Sequence, residues 1–234
     1  LSPFGHKPYP LFPEKKPMPE ASVLSVIYDK LNSHFGDLHW WPGETPFEVM
    51  VGAILTQNTA WQNVERALDN LKAAGLLDPQ WLYETDSRIL EELIRPAGYF
   101  RIKTFRLKNF LSFLCSHYGW DLEKMFSEDL WLLRDQLLSI NGIGKETADS
   151  ILLYAANQPI FVIDTYTRRI FQRHGVIASD MHYDALQTFV MKSLPKDVPL
   201  YNQYHALIVN TGKRYCRTVP RCEECPLNSI GYYG

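Results

Sequence analysis

Asp164 ends an apolar run, Ile160-Phe161-Val162-Ile163, and opens a polar helix start, Thr165-Tyr166-Thr167-Arg168-Arg169. A lone carboxylate delivered this way has two readings. It is an N-cap for the helix amides, worth about 1 kcal/mol, or a charged group held in place for catalysis, and both hold at once if one oxygen caps while the other stays open. Eighteen residues upstream is Glu146, next to Lys145, in a segment that begins Asn141-Gly142-Ile143-Gly144. Two glycines so close allow a tight turn whose exposed amides approach a phosphate. Thr147 adds a hydroxyl. An acid such as Glu146 is also favourable in a first helical turn without any ligand.

Flat aromatic faces suit stacking on an extruded base, and a cationic base gains a cation–π term of roughly 0.5–2 kcal/mol. Trp40, Trp41 and Trp61 supply such faces around Thr56-Gln57-Asn58-Thr59, and all three read equally well as core. Gln57 and Asn58 are either polar helix ends or groups that fill the gap left by a flipped base. Cys216, Cys222 and Cys225 have the close spacing of a metal loop, whereas Cys115 on an apolar stretch reads as core. A closed zinc or iron–sulfur site takes four ligands. No fourth cysteine follows, and the spacing of His205 does not argue for its closing a zinc site.

The elements that must position these residues are helical. Apolar positions Val23, Leu24, Ile27, Tyr28 and Leu31 predict a helix over 21–35, stopped by Gly36. Further helices are expected at about 46–56, 60–74, 86–95, 101–118, 129–139, 145–157, 165–174, 180–193 and 199–211. In the hairpin helix Ala148, Ile151, Leu152 and Ala155 make an apolar stripe, with Thr147, Asp149 and Ser150 off it. Ile160 to Ile163 is the one β-branched run and too short to build a sheet, so the class is all-α. Residues 1–19 carry six prolines and predict an extended arm.

The 234 residues are 46% apolar and 21% charged with no apolar run long enough to span a bilayer, so a globular, non-membrane chain is expected. The chain shows no signal-peptide pattern, which predicts a cytoplasmic, nucleoid-associated place. A net charge of −2 means that a nucleic acid would be held by local patches and backbone amides. Candidate patches are Arg101, Lys103, Arg106 and Lys108; Arg168, Arg169 and Arg173; and Lys213, Arg214, Arg217 and Arg221.

Taken together, the NGIGKETAD hairpin, the VIDTYTRR segment and the C-terminal cysteines resemble the helix-hairpin-helix DNA glycosylases of the endonuclease III superfamily over roughly residues 20–225. Within it, Trp40-Trp41-Pro42, Leu55-Thr56-Gln57-Asn58-Thr59 with Trp61, and Gly142-Ile143-Gly144-Lys145-Glu146 are similar, in the same order, to the type III 3-methyladenine DNA glycosylases. The resemblance implies two helical domains with a DNA-binding cleft between them: a six-helix barrel at 42–155, and a second domain from 20–41 and 156–234. It implies a monomer that flips a damaged base out of double-stranded DNA, with Asp164 catalytic and Trp40, Trp41, Trp61 and Glu146 lining the base pocket. Gln57, Asn58, Asn141, Gly142, Ile143, Gly144, Lys145 and Thr147 would face DNA, with a monovalent cation at the hairpin carbonyls. Glu146 stands where lyase-competent members carry a Schiff-base lysine, and Lys145 is turned from that position by about 100°.

The expected activity is therefore hydrolysis of the N-glycosidic bond of an alkylated purine, without strand cleavage and with no cofactor required for the chemistry. The alternatives are a glycosylase and lyase on oxidised pyrimidines with Lys145 as nucleophile, and a DNA-binding protein without catalysis. The cysteine loop resembles the [4Fe-4S] loop of endonuclease III, but its first spacing is one residue shorter and position 231, the last ligand, is glycine. A cluster, zinc and a loop held by packing alone all stay open.

Overall fold

The computed structural model describes residues 20–40 and 43–230, so the proline-rich arm, Trp41 and Gly231 lie outside the described residues. Among the described residues there are twelve α-helices and no strand. They are α1 (Glu20–Phe35), α2 (Pro46–Leu55), α3 (Trp61–Ala73), α4 (Pro79–Glu84), α5 (Ser87–Leu93), α6 (Phe100–Tyr118), α7 (Leu122–Phe126), α8 (Leu130–Ser139), α9 (Lys145–Ser150), α10 (Thr165–Arg173), α11 (Tyr183–Ser193) and α12 (Val198–Arg214). The short α4 and α7 carry too few turns for periodicity to reveal them; each is started by an aspartate cap, Asp78 and Asp121. The segment 160–163 is buried and belongs to no helix or strand.

The helix expected over 145–157 does not stay α-helical. After Ser150 the chain widens into a π turn, Ile151–Ala155, in which Ala156 N donates to Ile151 O at 3.0 Å. Such insertions rotate the side chains that follow them, and Tyr154 of this turn reaches across to α12. Around α9 the apolar stripe is only part of what is buried: Thr147, Asp149 and Ser150, off the stripe, are buried too. Their polar atoms are satisfied inside. Asp149 takes Arg134 Nε at 2.6 Å and Nη2 at 3.2 Å, Tyr183 Oη at 2.7 Å and Gln187 Nε2 at 2.6 Å. Gln187 also donates to Phe161 O, and Tyr183 Oη accepts from Ile163 N. One buried carboxylate thus ties the hairpin helix to the segment that ends at Asp164. Removing one partner of such a buried pair costs about 3–5 kcal/mol.

The other side of Asp164 is fixed by packing. α12 lies against α10, α1 and the π turn, and the close approach of α10 needs Gly212, because a Cβ there would sit 2.2 Å from Cδ1 of Tyr166. The Tyr166 ring is held in turn by the Arg169 guanidinium 5.0 Å from its centroid. Gly212→Ala should therefore lower stability by about 1–3 kcal/mol through overpacking, read as a lower urea midpoint; an unchanged midpoint would show that α10 is not seated as described.

Candidate active site

Six described helices start on an aspartate that accepts from the first-turn amides: Asp78, Asp86, Asp121, Asp129, Asp164 and Asp197. Five of these are exposed; Asp164 is 8% exposed. Its Oδ1 accepts from Thr167 N at 2.6 Å and from Thr167 Oγ1 at 2.8 Å. Oδ2 faces Nε2 of His205, on α12, at 3.5 Å. Burial pushes this carboxyl up, but His205 and the two Thr167 donors outweigh it and hold Asp164 below the usual carboxylate range. His205 is itself buried, and its Nδ1 meets Tyr154 Oη at 2.5 Å. His205 thus serves Asp164 and not the cysteines. Neither partner stood out in the sequence: the signal for Thr167 is its place three residues into the helix, where a capping aspartate reaches, and His205 carried none.

Glu146, in the first turn of α9, stands close enough to Asp164 to feel its charge. Its side chain is reached by solvent, yet desolvation of the carboxyl, with the Asp164 charge added, pushes it up to about 7. Lys145 points elsewhere, its Nζ 2.5 Å from Asp184 Oδ2 and 5.9 Å from the Tyr183 ring centroid. A different lysine is near: Lys213 Nζ stands 5.7 Å from the Trp40 ring centroid and feels the charges of Asp164 and Glu65, although burial lowers its own pKa. Trp40 is half-buried, and its side chain neighbours the Tyr154 hydroxyl. Trp61 is half-buried with Nε1 donating to Glu65 Oε1 at 2.6 Å. Trp40, Glu146, Asp164, Tyr154, His205 and Lys213 are thereby brought together, Trp61 joining through Glu65; Trp41 lies outside the described residues.

The hairpin is a tied turn. Gly142 needs to be glycine twice over, at φ +101° and with Arg106 Cγ 2.3 Å from where a Cβ would lie. Gly144, in contrast, is extended at φ −94° with open space at that position, so positive φ is not its reason; what its missing side chain leaves is access to the backbone. Ile143 is buried as the turn's anchor, and Asn141 O accepts from Asn109 Nδ2 at 2.9 Å. Gln57 uses its whole amide to hold the turn, donating to Gly142 O at 3.0 Å and Thr147 Oγ1 at 2.9 Å while accepting from Arg106. Asn58 is exposed at φ +53°, and Tyr99, 71% exposed at φ +46°, stands on the neighbouring loop. That loop is pinned at Ala97 O by Thr59 Oγ1 at 2.6 Å and by the buried Lys103 Nζ at 2.8 Å.

Most of the basic clusters are occupied within the fold. Lys103 and Lys108 donate to main-chain carbonyls, as do Arg168, Arg169 and Arg173, and Arg106 holds Gln57. The cysteine loop belongs to this pattern. Arg173 donates to Cys216 Sγ at 3.3 Å, Arg217 O at 2.7 Å and Thr218 O at 3.2 Å, while Arg169 takes Cys216 O at 2.7 Å. Cys216, Cys222 and Cys225 line a cavity of about 30 Å³ with His174 and Asn228, room for one or two waters. Among the described residues no group of three histidine, cysteine or acidic side chains is arranged to hold a metal ion. Cys115 is half-buried on α6.

Comparison with known proteins places this geometry. Residues 51–196 match the family described as HhH-GPD superfamily base excision DNA repair protein. A Methanocaldococcus jannaschii protein named as a DNA repair glycosylase is 50% identical over 210 residues, 89% of this chain and 95% of that protein. Among solved structures, the Helicobacter pylori 3-methyladenine DNA glycosylase bound to 1,N6-ethenoadenine superposes with a TM-score of 0.72 at 28% identity, covering 84% of this chain and 98% of that one. A non-covalent endonuclease III–DNA complex superposes with a TM-score of 0.78 at 22% identity, over 91% and 95% of the two chains, which shows a shared fold. With a buried aspartate at the head of one helix and a tied glycine turn at the head of another, the chain belongs to the HhH-GPD superfamily of base excision DNA repair glycosylases.

Proposed function

We propose that this glycosylase hydrolyses the N-glycosidic bond of an alkylated purine, of the 3-methyladenine kind, flipped out of double-stranded DNA, and stops there. The observation that carries the reading is Asp164: of six aspartate caps it is the buried one, and the groups around it fix an anion that Glu146 and Lys213 both feel, with Trp40 beside Lys213. The similarity to the Helicobacter pylori enzyme supports the substrate class.

The chemistry asks for little. N-alkylation makes the base cationic and so a good leaving group; the enzyme stabilises an oxocarbenium-like sugar and admits water. Asp164 Oδ1 is filled by Thr167, and Oδ2 supplies negative charge beside the sugar and takes the proton of the attacking water. The base stacks on the indoles. Lys213 already stands over the Trp40 ring, so an entering cationic base exchanges one cation–π contact for another. Main-chain amides around Gly144 approach the backbone phosphates, and the exposed Asn58 and Tyr99 fill the gap in the stack. No step calls for a metal. We read the cysteine loop as one organised by Arg173, since its cavity and ligand set do not fit a [4Fe-4S] cluster.

Strand cleavage needs an amine at the sugar, and three observations stand against Lys145 in that role: its position on the helix, its ion pair with Asp184, and Glu146 in its stead.

Asp164→Asn should slow base release from alkylated duplex at least about a hundredfold while leaving DNA affinity unchanged; full activity would remove Asp164 from the mechanism. Borohydride added during turnover should trap no covalent protein–DNA adduct. An adduct lost in Lys145→Ala or Lys213→Ala would make the protein a lyase. For Glu146 the sign follows from its raised pKa: the folded state holds the proton more tightly than the unfolded chain, so its contribution to stability is full below about 4.3, the unfolded value, and is lost as pH rises through about 7. Glu146→Gln should accordingly raise Tm at pH 8 but not at pH 4, and the same Tm difference at both would show that Glu146 does not titrate as described.

A further inference from the structure

Tyr154 and His205 make contacts that the hydrolysis above does not use. His205 is 5% exposed. Its Nδ1 lies 2.5 Å from Tyr154 Oη, and its Nε2, which has no hydrogen-bond partner among the described residues, lies 3.5 Å from Asp164 Oδ2. A buried ring nitrogen left at that distance is costly unless it serves the oxygen it faces. Which nitrogen carries the proton follows from the hydrogen bond made by the other. Burial raises the pKa of the Tyr154 hydroxyl well above the ordinary tyrosine value, so the phenol keeps its proton as a donor.

We propose that Tyr154 and His205 are a positioning pair for Asp164: the Tyr154 hydroxyl donates to Nδ1, which sets the imidazole as the neutral Nε2–H tautomer and directs that N–H to Asp164 Oδ2. This inference rests on Asp164 being the catalytic group. Its consequence is a division of labour on the carboxylate. Thr167 fixes Oδ1, and His205 takes one side of Oδ2 and fixes its direction, leaving the other side to the reacting sugar and water. The donor's neutrality matters, because an imidazolium at the same place would cancel the negative charge that the sugar cation needs. The π turn is what makes the arrangement reachable, since it carries Tyr154 to α12. The charged and titratable groups facing the imidazole are Asp164 at the head of α10, Glu146 on α9 and Tyr154 itself, with Lys213 of α12 beside Asp164.

The tautomer is read directly by ¹⁵N NMR of histidine-labelled protein at pH 7.5, with His205 assigned from its absence in His205→Gln. The expected spectrum has a protonated Nε2 and a bare Nδ1. In Tyr154→Phe that signature should be lost, and single-turnover release from alkylated duplex should fall about tenfold at unchanged DNA affinity, the size of one hydrogen bond to a charged group. His205→Gln, whose amide can accept from Tyr154 and donate to Asp164, should stay within about threefold of wild type, and His205→Leu should not. A bare Nε2, an imidazolium at this pH, or a wild-type rate in Tyr154→Phe would overturn the proposal. The spectrum needs no substrate, so failure of the wild-type protein to release any alkylated base would count against the proposed reaction and leave the tautomer to decide on the pair.

Discussion

A carboxylate that must stay ionised while buried is the constraint around which this fold is arranged. Taking a charge out of water is expensive, and the cost is met only by donors placed before the ligand arrives. At Asp164 these are the Thr167 amide and hydroxyl and the imidazole of His205. Each comes from an element held for other reasons. Thr167 is in the first turn of α10, which Gly212 allows to seat against α12; His205 is on α12 itself; and the apolar run before Asp164 is tied through Tyr183 and Gln187 to Asp149 of the hairpin helix. The glycine turn and the carboxylate of Asp164 are therefore joined by one buried polar network, which in the proposed reaction sets the distance between backbone phosphate and sugar. A hairpin that gripped a phosphate without that link would not fix where the sugar lies relative to Asp164.

In the proposed reaction two neighbouring residues set how far the chemistry goes. On a helix Lys145 and Glu146 point about 100° apart. The lysine is drawn to Asp184 and the acid is left facing Asp164. Two carboxyls this near each other cannot both ionise freely, and the pair resolves by environment: Asp164, rich in donors, is held down, whereas Glu146, desolvated and beside a like charge, is pushed up to about 7. Such a group lowers stability at the pH where it ionises, which is common where a site is built for a ligand and not for the resting fold.

Much of this was legible in the residues. The long amphipathic helices and the unpaired run at 160–163 follow from periodicity, and Asp164 as a helix cap follows from one carboxylate between an apolar stretch and a polar helix start; its burial does not. Gly142 fits the expectation of a turn glycine; Gly144 does not, because an extended glycine with empty space beside it looks the same in sequence as a strained one. What could not be read depends on contacts between distant segments. Asp149 off an apolar stripe reads as solvated until Arg134 meets it, and nothing in the sequence of α12 announces that His205 stands opposite Asp164. The basic clusters misled for the same reason. Arginines and lysines that look free for phosphates are spent on carbonyls that only the folded chain exposes, Arg173 on the cysteine loop above all.

The ionisation of Asp164 in the folded, substrate-free protein tests the central claim most directly. It is measured by ¹³C NMR titration of side-chain carboxyls, with Asp164 identified by its loss in Asp164→Asn. The carboxyl should titrate below the ordinary aspartate value of about 3.9 and be fully ionised at neutral pH, with a second carboxyl, absent in Glu146→Gln, titrating near 7. An Asp164 that holds its proton at neutral pH would contradict this account, because a neutral acid at that place could neither stabilise a cationic sugar nor take a proton from water.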